Sequence, residues 1–369
     1  MDSHAVRRCQ PQEARAEVEA LWKRNLTLEQ SAAEKFSWLY ERAPHPPESL
    51  FLLDVNAPAP PRAIGTAGVG IREIAVNQHH LRAGLLADLA VDREHRTVAP
   101  ALRLVREVKA WALGELDLAY GFPNPVAEGV FKRVGYTLLG DLPRYVRVLR
   151  HHSYLDRIGE AEISRVPAWL RPLAHDVLAS RGWPQQAAVA AVDLALLGRD
   201  LGLLVAARRQ EHFSVTEGVP AGIDALWQRC RREHTVVSLR SQRVLEWRYP
   251  SRPGRWWAAA RSGSRLDAYA IVDRVGEVAH IRDLFGGRVA MKSLLRQLVF
   301  ECYRRGAASI SMRYLGDRWL SDLLRHARFE ERKAHRRIFV GVSPKLERRL
   351  QAMLVDPACW FLTDFDEDI

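Results

Sequence analysis

A chain that writes one order of elements twice can fold only as two copies of one architecture, and this chain does so faintly. EALWKRN at residues 19–25 returns in character as DALWQRC at 224–230. Downstream of each comes an aromatic helix end, FSWLYERAP at 36–44 and LEWRYPSRP at 245–253. Both carry Trp-x-Tyr and then a Pro-bearing break. Matching order and similar spacing make an internal duplication the better explanation than chance.

Hydrophobic periodicity extends the repeat. In the first half a short strand at about 5–9 leads to a helix with Val18, Leu21 and Trp22 at helical spacing. A second helix is expected from about 28 to 41, stopped by Pro44, Pro46 and Pro47. SLFLLDV, RAIGTAGVGIREI and LRAGLLADLAV read as three strands. APALRLVREVKAWAL is helical, with Leu102, Val105, Val108 and Trp111 or Ala112 along one stripe. Strand LDLAYGF, short helix PVAEGVFKRV and strands YTLLG and RYVRVLR complete the copy. The second half repeats the order from HFSVTE to HRRIFVGV. The reading is β-α-α-β-β-β-α-β-α-β twice, an α/β (α+β) chain. It divides into an N-terminal unit at 1–150, a helical connector at 151–210, a C-terminal unit at 211–343, and a helix with an acidic tail at 344–369.

With 369 residues the chain can bury two cores. Its formal charge of +11 favours anionic partners such as phosphorylated cofactors, nucleic acid or anionic lipid. The arginines are spread along the whole chain, which reads as a solvated basic surface before a dedicated nucleic-acid face. Cys9, Cys230, Cys302 and Cys359 lie far apart with no CxxC or Cys/His spacing, so neither a zinc site nor a disulfide framework is indicated. The first residues are polar and lack an apolar signal core. The most apolar run, 187–207, contains Asp193, Arg199 and Asp200, which argues against a membrane span. A cytoplasmic protein is expected.

Two segments of the first half carry chemistry. In LADLAVDREHRTVAPALRLV, residues 86–105, a strand turns tightly into a helix. Such a turn aims unpaired backbone N–H groups at one point, where the helix dipole adds positive potential and a pyrophosphate can bind. Ala99 and Ala101 are small enough for close approach, and Pro100 is tolerated in a first helical turn. Arg96 can add a donor fork. In YGFPNPVAEGVFKRVGY, residues 120–136, Asn124 ends a strand and caps a short helix, and Gly135 supplies a left-handed exit.

With these residues the chain resembles the GNAT superfamily of acyl-CoA-dependent N-acyltransferases, as a tandem pair with a mixed central sheet flanked by helices in each half. Arg96, Thr97, Val98, Ala99, Pro100 and Ala101 resemble the superfamily's Arg/Gln-x-x-Gly-x-Gly/Ala loop, with Ala99 where Gly is expected. The resemblance implies acetyl-CoA or another acyl-CoA as co-substrate. It also implies a splayed strand whose Leu89, Ala90 and Val91 pair with the pantetheine arm, one N–H acting as an oxyanion donor. Asn124 would bond the cofactor arm. Many members carry a proton-donating Tyr on the short helix; here Phe131 stands in its place. Amine attack needs a proton acceptor, for which Asp88 and Glu73 are named first, with His79 and His80 in the connection nearby; Tyr136 and Tyr120 are the candidate acids.

The second copy departs further. Arg288 to Ser293 occupies the loop position without the small residues, and Met291 and Lys292 hinder backbone approach to a pyrophosphate. That half is expected to be degenerate for the cofactor and to serve the acceptor site or a structural role. The basic run at 325–337 reads as a solvated edge, or as an acceptor groove for an anionic or RNA substrate. The end, DFDEDI, reads as a mobile acidic tail. Three functions follow: an N-acyltransferase acting on a small-molecule, sugar or peptide amine; a tandem transferase taking an aminoacyl group from charged tRNA; or a silent acyl-CoA-binding scaffold.

Overall fold

The computed structural model describes residues 4–28, 30–47, 49–55, 62–151, 153–154, 212–333 and 335–367, with positions 190, 193, 198 and 202. The expected connector at 151–210 therefore lies almost wholly outside the described residues.

The N-terminal unit runs β1 (His4–Cys9), α1 (Arg15–Asn25), α2 (Ala32–Phe36), β2 (Leu50–Val55), β3 (Arg62–Val76) and β4 (His79–Val91). It continues through α3 (Val98–Glu115), β5 (Leu118–Gly121), α4 (Pro125–Val134), β6 (Thr137–Asp141) and β7 (Arg144–Val148). The C-terminal unit repeats this as β8 (His212–Thr216), α5 (Ile223–Cys230), α6 (Gln242–Arg248), β10 (Arg255–Ser262), β11 (Arg265–Val275) and β12 (Val278–Gly286). Then come α7 (Arg288–Arg304), β13 (Ser309–Arg313), α8 (Arg318–His326), β15 (Glu330–Arg332) and β16 (Arg337–Val342). Four short strands were not expected from the sequence: β9 (Val236–Ser238), β14 (Leu315–Gly316), the edge strand β15, and a last one, β17 (Trp360–Leu362). Helix α9 (Arg348–Val355) and β17 end the order.

One boundary differs from expectation. The second helix starts at Ala32, not near 28, because Ser31 caps it: its hydroxyl accepts from the Glu34 N–H, and Glu34 answers at the Ser31 N–H. It then widens into a π-helical turn, Ser37–Glu41.

The sheets hold what the linear pattern concealed. One carries β1-β2-β3-β4-β5-β16-β6 and is extended from β3 by β9, β17 and β14; the other runs β8-β10-β11-β12-β13-β7-β15. The order is the same in both, yet β7 lies in the C-terminal sheet and β16 in the N-terminal one. Each unit inserts its last strand into the other, β16 pairing antiparallel with β5 and β6 and β7 with β13 and β15. The repeated Trp-x-Tyr segments meet at this pseudo-symmetric centre. Trp38 and Trp247 stack with centroids 4.5 Å apart, and each indole N–H donates to the other's carbonyl, at 3.1 and 2.8 Å.

The acidic end is not a mobile tail. Asp364, Phe365, Asp366 and Glu367 are buried. β17 lies between β9 and β14, and its alternation serves two cores. Trp360 and Leu362 join Ile74, Leu85 and Tyr120 of the N-terminal unit, while Phe361 and Phe365 join the C-terminal core. The carboxylates are drawn in by arginines: Arg240 bonds Asp283 at 2.9 Å and Asp366 at 3.3 Å, Arg282 bonds Asp364 at 2.9 Å, and Arg313 bonds Glu367 at 2.7 Å. Buried charge is tolerated when it is paired in this way.

Candidate active site

Strand β4 pairs in parallel with β5 only from Ala83–Leu118 to Leu86–Gly121, then runs on alone to Val91. The chain leaves β5 at once for Asn124 and α4, so the two strands part as a fork. On the other edge, Gly68 faces Ala87 and Thr66 faces Ala90, so Asp88 and Leu89 together oppose Ala67. This is a β-bulge, and Asp88 in it has φ +56. Beyond it the Asp92 N–H donates to the Ile64 carbonyl at 2.7 Å. In the antiparallel alternation Ala90 then directs its backbone groups at β3, and Leu89 and Val91 direct theirs to the side β5 has vacated.

The mouth of the fork is the start of α3. Thr97 makes no side-chain capping bond there, and Thr97, Val98 and Ala99 are exposed while Pro100 is buried. Ala99 is helical rather than left-handed, so it is unstrained in the place of Gly. The N–H groups of this first turn have no intrahelical partner, which leaves a site suited to an anion. Arg96 turns back instead of outward, donating from Nε to the Val91 carbonyl at 3.0 Å and from Nη2 to the Asn25 carbonyl at 3.2 Å. The loop is tethered by Asp92, which accepts from Asn25 at 2.6 Å and from Arg24 at 3.2 Å. Burial alone would raise the Asp92 carboxyl; its bonds to Arg24 and Asn25 and the charge of Arg62 outweigh that and hold it below the usual range.

The floor of the fork is aromatic. Asn124 caps α4, its Oδ1 accepting from the Ala127 N–H at 2.9 Å, and Gly135 leaves the helix at φ +82. A Cβ on Gly121 would lie 3.2 Å from the Phe131 ring and 3.3 Å from Leu86, so Phe131 packs against the point where the strands part. Behind it stand Tyr136, centroid 5.0 Å away, and Phe339, 5.8 Å away. Phe339 comes from the exchanged strand β16, so the C-terminal unit helps build this floor. Nothing in the sequence marked Phe339 or Gly121 as part of the site.

The candidate proton carriers are scattered. Asp88 is at the fork but buried against Lys35 of α2, Oδ1 to Nζ 2.8 Å. Glu73 faces Arg82 in the hairpin. It sits along β3 from Gly68 by roughly 17 Å at ordinary strand rise, and its carboxylate meets His45 at 3.2 Å. His79 and His80 are exposed at the hairpin turn. The Tyr136 ring lies under the Lys109 ammonium, and its hydroxyl, without a partner among the described residues, is pushed well up by burial. Tyr120 is buried on β5 and donates to the Asp366 carbonyl at 3.4 Å.

The second unit repeats the fork and fills it. β12 pairs with β13 only from Val278–Ser309 to Ile281–Met312, and Arg282 is the extra residue of a matching bulge. Thr363 and Asp364 lie on the prongs, Thr363 donating to Asp283 at 2.8 Å while Arg282 and Arg313 reach Asp364. The two mouths contrast as well. In the first, Val98 and Val126 stand 51% and 89% exposed. At the starts of α7 and α8 in the second, Arg288 bonds Asp317 at 3.2 Å and lies over Trp319, beside Val289 at 74% exposed. Met291 is buried, and the bridge across the mouth was not foreseen from the sequence.

Solved structures resemble this chain. One is a conserved protein of unknown function and probable N-acyltransferase from Enterococcus faecalis V583, with TM-score 0.60 at 11% identity, covering 92% of this chain and 73% of that one. GCN5-related N-acetyltransferases from Anabaena variabilis ATCC 29413 and Kribbella flavida give TM-scores of 0.56 and 0.52 at 10% and 11% identity. They cover 92% of this chain and 73% and 71% of their own. No protein-family profile and no curated protein matches the sequence. No helix among the described residues is long and apolar enough to cross a membrane.

Proposed function

We propose that this chain, which has the fold of the GCN5-related N-acetyltransferases, is an N-acyltransferase that binds acyl-CoA at the fork of its N-terminal unit. The observation that carries this is the early end of β4–β5 pairing at Leu86–Gly121, beside an uncapped α3. The first turn of α3 would hold the pyrophosphate. The Leu89 carbonyl and the Val91 N–H would pair with the pantetheine arm, the Val91 carbonyl being held by Arg96, and the Leu89 N–H would face a developing oxyanion. Bound there, acyl-CoA supplies a thioester carbonyl open to direct attack by an amine. Acetyl-CoA is the first donor to try, with small-molecule, sugar and peptide amines as acceptors.

No thiol is primed for a covalent intermediate. Burial raises all four cysteines, Cys230 to about 11 and Cys302 further still. Phe131 gives the departing sulfur an apolar neighbour and no proton. The second fork, filled by residues 363–367 and bridged at its mouth, is read as structural, so one acyl-CoA per chain is expected.

Calorimetric titration with acetyl-CoA tests the reading. One site per chain is expected. Ala99→Asp should abolish binding by placing a carboxylate at the phosphate position while keeping a good first-turn helix residue. Absence of binding, or binding indifferent to Ala99→Asp, overturns it.

A further inference from the structure

The bulge at the fork is locked by a buried ion pair. Lys35 and Asp88 meet at 2.8 Å with their side chains 8% and 2% exposed. Lys35 belongs to α2, on the sheet face opposite α3, and its ammonium lies 5.9 Å from the Trp22 ring centre. Asp88 holds φ +56, a conformation that Asp adopts more readily than most residues and β-branched residues resist. The next residue is Leu89, whose backbone faces the vacated side of β4.

We propose that Lys35 is a positioning residue. By holding the Asp88 carboxylate it keeps residue 88 left-handed and so aims the Leu89 N–H into the fork. The inference rests on the acyltransferase reading and gives Asp88 a conformational role in place of a proton-accepting one. Activity should then follow the ability of residue 88 to take positive φ and not its charge.

Four variants separate these roles. Asp88→Gly adopts positive φ without cost, and Lys35→Met/Asp88→Gly also removes both buried charges. The double variant should keep kcat within about threefold of wild type, with an unchanged pH profile. Lys35→Met and Asp88→Val should lower kcat by roughly 10–100-fold, toward the loss seen when an oxyanion donor is removed, with KM for acetyl-CoA changed less than about threefold. A folded double variant that binds acetyl-CoA but has lost turnover overturns the proposal and makes Asp88 a chemical participant.

Hydrogen–deuterium exchange across residues 85–91 needs no turnover, so it separates failure of this inference from failure of the acyltransferase reading. Exchange should quicken in Asp88→Val and return to the wild-type rate in the double variant. If Asp88→Val, or a Lys35→Met protein that folds, exchanges like wild type, the positioning role is refuted whatever the activity.

Discussion

His234→Phe should make the protein less sensitive to acid, and the size of the effect can be worked out. The His234 ring is buried against Phe361, with centroids 4.3 Å apart, and near Phe285 at 5.6 Å. Its Nε2 has no partner among the described residues. Burial, reinforced by the charges of Arg240 and Arg288, pushes the imidazole down from its ordinary 6.5 to about 3. The unfolded chain takes up a proton near pH 6.5 that the folded chain refuses until about pH 3. Stability from this group is therefore complete above pH 6.5 and declines as the pH falls through that window. At 1.36 kcal/mol per unit, the loss between pH 7 and pH 4 is about 3 kcal/mol. Phe fills similar space and carries no proton. Urea unfolding at pH 7 and pH 4, followed by tryptophan fluorescence, should show the stability gap between the two pH values narrowed by about 3 kcal/mol in the variant. Equal gaps would mean that His234 is hydrated or partnered, and the burial argument would fail.

Gly121→Val should abolish acetyl-CoA binding by calorimetry and lower stability by roughly 1–3 kcal/mol through overpacking, since its Cβ already meets Phe131 and Leu86. Phe339→Ala removes a fully buried ring from the floor of the N-terminal fork. It should cost about 3–5 kcal/mol in thermal or urea unfolding and weaken acetyl-CoA binding, although residue 339 lies in the other half of the sequence. Asp273 bonds Arg252 and Arg255 at 2.6 Å and Arg282 at 3.1 Å. Burial would raise its carboxyl, but these arginines hold it at about 2. Asp273→Asn should cost about 3 kcal/mol at pH 7, because it leaves the buried Arg255 without its carboxylate while Arg252 is half exposed and Arg282 keeps Asp364. That deficit should shrink as the pH falls from 4 toward 2, where wild-type Asp273 gains its proton.

Element order was legible because periodicity is local. The stripe through Val105, Val108 and Ala112 is buried, and Asn124 and Gly135 bound α4 as their chemistry requires. The exchange was not legible. RYVRV and RIFVGV are ordinary strand sequences, and nothing in five or six residues says whose sheet a strand completes. The acidic end misled for a related reason. Its carboxylates read as solvated until Arg240, Arg282 and Arg313, distant in sequence, are brought around it. Asp88 could be assigned to β4 from its neighbours, but its backbone conformation and its bond to Lys35 depend on a helix from another part of the chain.

The two forks share one strand order, and they differ in what occupies them. A splayed strand leaves main-chain groups and a helix terminus in need of partners, and those must come from water, a ligand or the chain itself. In the N-terminal unit Val98 and Val126 stand exposed at the lips, while α3 and α7 both begin without a side-chain cap, so the helix starts do not distinguish the forks. In the C-terminal unit the chain's own side chains occupy the fork: Thr363 and Asp364 bond the side chains of Asp283, Arg282 and Arg313 at the prongs, and Asp317 with Trp319 engages Arg288 at the lip. Part of the arginine excess that makes this chain so basic is spent there, holding Asp364, Asp366 and Glu367 inside. The same acidic segment carries Trp360 and Leu362 into one core and Phe361 and Phe365 into the other. Closing the second fork and joining the two units are thus a single structural act, and a ligand entering that fork would have to loosen both cores.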